Sequence, residues 1–167
     1  MYKVEHTIER LQELKDNKIE LKEFNRFIST ADEHRVELTD QTWKNIIKTI
    51  LQVRKLNEFL KVWGYYYEPY HCLRDTITHN RLKGLGLEPS EVSLHRRARA
   101  TDGACFCNGD FIAHRKGDHQ ILKSIGKLIY NNKEMLGIVE VKVYSTFIHI
   151  GFLTEDQQKV KYKLLGV

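Results

Sequence analysis

The chain has little proline and little cysteine: two prolines, Pro69 and Pro89, and three cysteines in 167 residues. Both prolines fall in the middle third, so nothing interrupts helices in the first 60 residues or so. The odd cysteine count excludes complete pairing within one chain. Cys105 and Cys107 also stand too close together for an easy disulfide. Cys72, Cys105 and Cys107 therefore point to synthesis in a reducing compartment. No apolar run approaches the roughly 20 residues of a membrane-spanning helix. The stretch "MYKVEHTIERLQELKDNK" mixes acids with bases and lacks the apolar centre of a secretory signal. The sequence thus predicts a protein made in the cytoplasm, with no signal peptide and no membrane span. A role at the cell wall would need another route, such as phage lysis or delivery on a virion. Internal repeats and low-complexity segments are missing too, which excludes solenoids.

What is present suits one domain with a proper core. Hydrophobic residues make up 41% and charged residues 29%, ordinary for a globular chain. The net charge of +5 is compatible with nucleic acid, an anionic wall or a membrane surface, and selects none of them.

The first 63 residues read as helical. "HTIERLQELKD" puts Ile8, Leu11 and Leu14 on one face, and "KIELKEFNRFIS" is a second candidate. The strongest helix is "LTDQTWKNIIKTILQVRKLNEFLKVWG", with Thr39 or Asp40 as cap, a wide apolar face from Trp43 to Leu60, and Gly64 as its end. After Gly64 the texture changes. "YYYEPYHCLR" reads as a strand or an extended entry to a loop, and residues 75–92 as a loop with a helical turn. "SLHRRARATDGACFCNGDFIAHRKGD" reads as strand, turn and strand. "HQILKSIGKLIYNN" reads as an amphipathic helix with Asp118 as cap. "GIVEVKVYSTFIHIGFL" alternates as two strands folded at "YST", and the tail reads as a last strand or an ordered tail. Helices followed by antiparallel strands predict an α+β fold, N-terminal helices packed on a small antiparallel sheet. Residues 1–40 form a helical extension and 41–167 the main domain.

One stretch, "SLHRRARATD" at 93–102, raises a question of chemistry. Its arginines suit a solvated basic edge or an anion. His95 and Asp102 at its ends are residue types that bind zinc, which takes three protein ligands and leaves one position for water in catalytic sites. His149 lies in the apolar strand "FIHIGF". A histidine in such a strand is more often a satisfied structural residue than a ligand, and spacing alone decides nothing here.

The same stretch resembles the S-x-H-x-x-G-x-A-x-D signature of zinc D-Ala-D-Ala carboxypeptidases and endopeptidases. These are peptidoglycan-cleaving enzymes of the superfamily that includes lysostaphin-type enzymes and the hedgehog domain. Ser93, His95, Ala100 and Asp102 match; Ala98 stands where the family has glycine. "HCLRDTITHN" is similar to the family's substrate-binding strand end and loop, with Arg74 and Asn80 matching. "YSTFIHIGF" is similar to its closing segment, with Tyr144 and His149 matching. The resemblance covers roughly residues 42–153. It implies a hedgehog/DD-peptidase-like fold, zinc as cofactor, and His95, Asp102 and His149 as ligands. It further implies Arg74 at the substrate's carboxylate or carbonyl oxygen, with Asn80, Ser93 and Tyr144 around the substrate. The substrate is then the peptidoglycan peptide, with other virion proteins as possible partners.

Two departures bear on catalysis. Gly151 stands two residues after His149, where the family commonly has an acidic residue. No acid lies within the five residues before His149, so the general base has no obvious bearer. Glu140, the nearest carboxylate, is the candidate, against a plain reading as a surface charge alternating with Lys142. C-x-C at 105–107 with His114 is a weak metal signal. His71 and His79 flank Arg74 and could line the same cleft, though without any ligand pattern; Tyr65, Tyr66, Tyr67 and Tyr70 could stack on sugar or bases but read first as packing residues. Two readings compete with a peptidase: an inactive structural or wall-binding virion protein on the same fold, and a basic nucleic-acid-binding protein using Arg96, Arg97, Arg99 and Arg115.

Overall fold

A computed structural model describes residues 6–28, 36, 38–88, 93–154 and 161–167. Helix α1 spans Ile8–Asp16 and α2 Leu21–Phe27. The Thr7 hydroxyl caps α1 by accepting from the Arg10 amide. Of the expected apolar face only Leu14 is buried, while Ile8 is 84% exposed. The short helix is anchored by its last turn, not by a full stripe. Helix α3, Asp40–Lys61, begins at Thr39, whose hydroxyl accepts from the Thr42 amide at 3.1 Å. Trp43 lies against Phe24 with ring centroids 4.2 Å apart, and its indole N–H donates to Glu13. One buried cluster continues from Leu14 and Phe24 through α3 to Phe152. The apolar faces of the N-terminal helices and of the main domain thus meet in the same core.

The strands are β1 (Tyr65–His71), β2 (Ala100–Cys107), β3 (Asp110–Ile112), β4 (Ile138–Val143), β5 (Ile148–Phe152) and β6 (Lys163–Leu165). They form one sheet in the order β1-β2-β5-β4-β6, with β3 paired to β2. The fold is α+β. Its small sheet is mostly antiparallel, as expected, and β6 runs parallel to β4. The hairpin β4–β5 turns over residues 144–147, closed by the Tyr144 amide on the Phe147 carbonyl at 2.9 Å. Val141, Val143, Ile148, Ile150 and Phe152 enter the core with α3 and with α5 (Asp118–Asn131). Strand alternation sends Glu140, Lys142, His149 and Gly151 to the opposite face.

Two local expectations change. Residues 94–97 form a 3₁₀ turn, not the start of a strand. Ser93 begins it by accepting from the His95 amide, and Ala98 ends it with φ +53°. Arg97 and Arg99 therefore do not share a strand face with His95. Arg99 is also no solvated edge: it is 4% exposed and its guanidinium donates to Thr49, Gln52 and the Leu153 carbonyl. The N-cap of α5 is Gly117, not Asp118. The Asp118 carboxylate instead accepts from the Ala113 and Arg115 amides and so ties down the preceding loop. A sixth helix, α6 (Lys133–Leu136), and α4 (Thr76–Gly84) complete the described elements. No helix of the described residues is long and apolar enough to cross a membrane.

Candidate metal centre

Each of the three side chains reaches the open face of the sheet by a different device. The 3₁₀ turn delivers His95, β2 carries Asp102, and β5 carries His149 directly opposite Asp102 in the strand register. His95 Nδ1 lies 2.7 Å from the Cys72 carbonyl oxygen. A carbonyl only accepts, so Nδ1 carries the proton and Nε2 a lone pair. The Arg74 amide donates to the His95 carbonyl and holds the same turn from behind. His149 Nε2 lies 3.0 Å from Glu140 Oε2. A carboxylate only accepts, and Asp102 faces Nδ1 in the same way, so the charged imidazole donates to both; when it loses one proton with Nε2 held by Glu140, the lone pair is on Nδ1.

These two lone pairs and one carboxylate oxygen face each other. His149 Nδ1 is 2.8 Å from Asp102 Oδ1 and 3.1 Å from His95 Nε2, and His95 Nε2 is 3.4 Å from Asp102 Oδ1. Zinc bonds of about 2.0–2.2 Å in a tetrahedron give ligand-to-ligand edges of about 3.3–3.6 Å. The His95–Asp102 edge has that size, and the two edges to His149 are shorter, at hydrogen-bond length. A proton on His149 suits those shorter edges. Burial disfavours that proton, but the hydrogen bonds and charges of Asp102 and Glu140 outweigh it, so the His149 pKa is raised. Burial likewise pushes the Asp102 carboxyl up, and the hydrogen bond from His149, with its charge, reverses this and holds it well below the carboxylate range.

A fourth donor joins from β1. His71, His95 and Asp102 offer ligand atoms that all lie within 4.8 Å of one another, a cluster that could hold a metal ion. His71 and His149 are thus alternative third members beside His95 and Asp102. His149 reaches the same two residues through contacts of hydrogen-bond length, 2.8 Å to Asp102 and 3.1 Å to His95. A register irregularity between Pro69 and His71 sets His71 against Asp102; without it Tyr70 would take that place. Nothing in the spacing of the sequence signalled His71, because a bulge leaves no residue pattern.

The other expected site residues divide. Arg74 is half-buried and lines a cavity of about 510 Å³ with Leu73, Asp75, Thr76 and Arg96. Its Nε is buried without a hydrogen-bond partner. Burial lowers the guanidinium pKa and the Asp102 charge opposes this. Glu140 is 8% exposed and not a surface charge. It is bound to the far side of His149, with Lys142 Nζ at 3.2 Å from its other oxygen. The His149 hydrogen bond is the main cause that draws its carboxyl down to about 2, against the effect of burial. In that position it orients a ligand and does not face the open side of the centre. The Ser93 hydroxyl is used in the 3₁₀ turn. Tyr144 is 44% exposed and stacks on Phe147 at 4.4 Å. Asn80 is exposed on α4, and none of these contacts includes it. Cys105 is buried in the core. No protein-family model, curated protein or solved structure matches the chain.

Proposed function

We propose that the chain is a zinc-dependent peptidase acting on peptidoglycan stem peptides, with wall lysis or remodelling by a phage-encoded protein as its setting. The observation that carries the metal is the convergence of His95 Nε2, His149 Nδ1 and Asp102 Oδ1, with the other nitrogen of each imidazole already bound. What carries the substrate class is the resemblance around His95, Asp102 and His149. His95, Asp102 and His149 would hold the ion, which supplies Lewis acidity and a water of lowered pKa. Cys72 and Glu140 fix the two imidazoles in the tautomers that binding requires. Arg74 suits a substrate carboxylate or carbonyl oxygen, since its Nε is buried and unpaired beside an open cavity.

A second reading, an inactive wall-binding or structural virion protein, draws support from the position of Glu140: with that carboxylate behind His149, the general base has no acidic bearer. The nucleic-acid reading loses Arg99, which is buried in hydrogen bonds to α3. The test is metal analysis of the purified protein together with mass spectrometry of digested peptidoglycan. One zinc per chain, lost in His95→Ala, with new peptide termini, is the expected result. Zinc without new termini selects the inactive protein. Neither zinc nor termini defeats both.

A further inference from the structure

The open face of the sheet does not end at the metal centre. On β2 the residues of that face are Asp102, Ala104 and Phe106, by simple alternation. Phe147 lies in the turn just before β5, two residues from His149. Its ring meets Tyr70 across β2 at 6.2 Å and stacks on Tyr144. Ala104 is too small to fill the space between them. Two residues further along β2, about 7 Å away, a second group follows. Phe106 pairs in register with Tyr66 on one side and Phe111 on the other. Those rings lie 6.3 and 5.5 Å from it. Tyr66, Tyr70 and Phe111 are 50, 48 and 47% exposed. Aromatic rings of this kind usually hide in a core; here two platforms lie in line, beginning at the metal centre.

We infer that this strip is a glycan-binding track, which holds the N-acetylamino sugar rings of a polysaccharide strand while the attached peptide lies at the metal centre. A pyranose presents a flat apolar face of C–H groups and a rim of hydroxyls. Exposed rings take the face, and tyrosine hydroxyls at the edge take the rim. A polymer calls for more than one platform in line, and two are present. Charge favours a neutral ligand over nucleic acid. The charged side chains on this face of β1 and β2 are Glu68, which pairs with the exposed Arg26 at 3.4 Å, and Asp102; both are acidic, and acids repel phosphates.

The inference rests on the peptidoglycan reading for its choice of sugar, and its test is separable from that reading. The full chain, metal-free and then zinc-loaded, is titrated with a soluble tetramer of β-1,4-linked N-acetylglucosamine while the aromatic ring resonances are followed by NMR. Saturable shifts of the Tyr66 and Tyr70 rings are expected in both forms. Tyr66→Ala and Tyr70→Ala are expected to weaken binding about tenfold each. Both side chains are half-exposed, and unchanged thermal melting certifies their folds. Absence of ring shifts, equal binding by the tyrosine variants, or tighter binding of a single-stranded oligonucleotide to the same rings overturns the inference. Sugar binding without stem-peptide cleavage removes the peptidase and leaves the track. Cleavage without sugar binding does the reverse.

Discussion

A Cβ at position 151 would lie 2.6 Å from Leu94 Cδ1, 3.0 Å from Glu140 Cβ and 3.6 Å from Glu140 Oε2. The acidic residue that the resemblance expects at this place would have to push the Leu94 side chain aside and crowd Glu140. Glu140 pairs with Gly151 across β4 and β5 and brings its own carboxylate to His149. A carboxylate has in effect been supplied from the neighbouring strand. Glu140→Gln keeps the shape and removes the charge, and is expected to weaken zinc binding about 10–100-fold in a chelator competition. Gly151→Asp alone is expected to destabilise the fold by about 1–3 kcal/mol through overpacking, read as a lowered urea midpoint. Unchanged stability in Gly151→Asp would mean that Leu94 yields easily and that the steric account is wrong. Ala98 is the mirror case. Its φ of +53° is the left-handed conformation that glycine adopts freely, and the resemblance places glycine there. Ala98→Gly is expected to leave stability unchanged or raise it by up to about 1 kcal/mol, because relief of strain offsets the greater freedom of the unfolded chain. A clear loss of stability would instead assign the Ala98 methyl a packing role.

Elements were legible where a period ran long enough. The 22 residues of α3, its Thr39 cap and the β4–β5 hairpin all follow from patterns of apolar residues. The 3₁₀ turn at 94–97 was not legible as such. Four residues are too few to show a period, and the conformation is set by the Ser93 hydroxyl and by a non-glycine residue at positive φ. His71 escaped for a related reason: a bulge re-aims a side chain without changing composition. Arg99 was misread because charge in a sequence suggests water. Its guanidinium instead stitches the beginning of β2 to α3 and to the segment after β5. Arg99→Ala would leave these acceptors unsatisfied in a buried place, a loss of about 2–4 kcal/mol by denaturant titration. Arg99→Lys should recover little, since one ammonium cannot serve acceptors in three directions. Full rescue by lysine would show that charge, not the fork of donors, is what the fold needs there.

At the scale of the whole molecule, the centre binds together segments that the chain separates widely. Cys72 follows β1, His95 lies in the turn, Asp102 is on β2, Glu140 on β4 and His149 on β5. An ion held there bridges them in the folded state and finds no such site in the unfolded chain. Zinc at 100 times its dissociation constant should then add about 2.7 kcal/mol to stability, seen as a raised melting temperature that a chelator reverses. The sign of the pH dependence follows from His149. Burial disfavours its charged form, but Asp102 and Glu140 prevail and its pKa is raised. In the metal-free protein the charged His149 therefore contributes stability that is fully present below its ordinary value of about 6.5 and is lost as pH rises through the raised value. The metal needs that lone pair and must displace the proton. Below the raised pKa each bound zinc should release about one proton from His149, and affinity should fall about tenfold per unit of falling pH. Calorimetry in two buffers of different ionisation enthalpy reads this release directly. A binding enthalpy independent of buffer below that pKa would show that Nδ1 carries no proton to displace, and the picture of a centre balanced between a proton and a metal would fail.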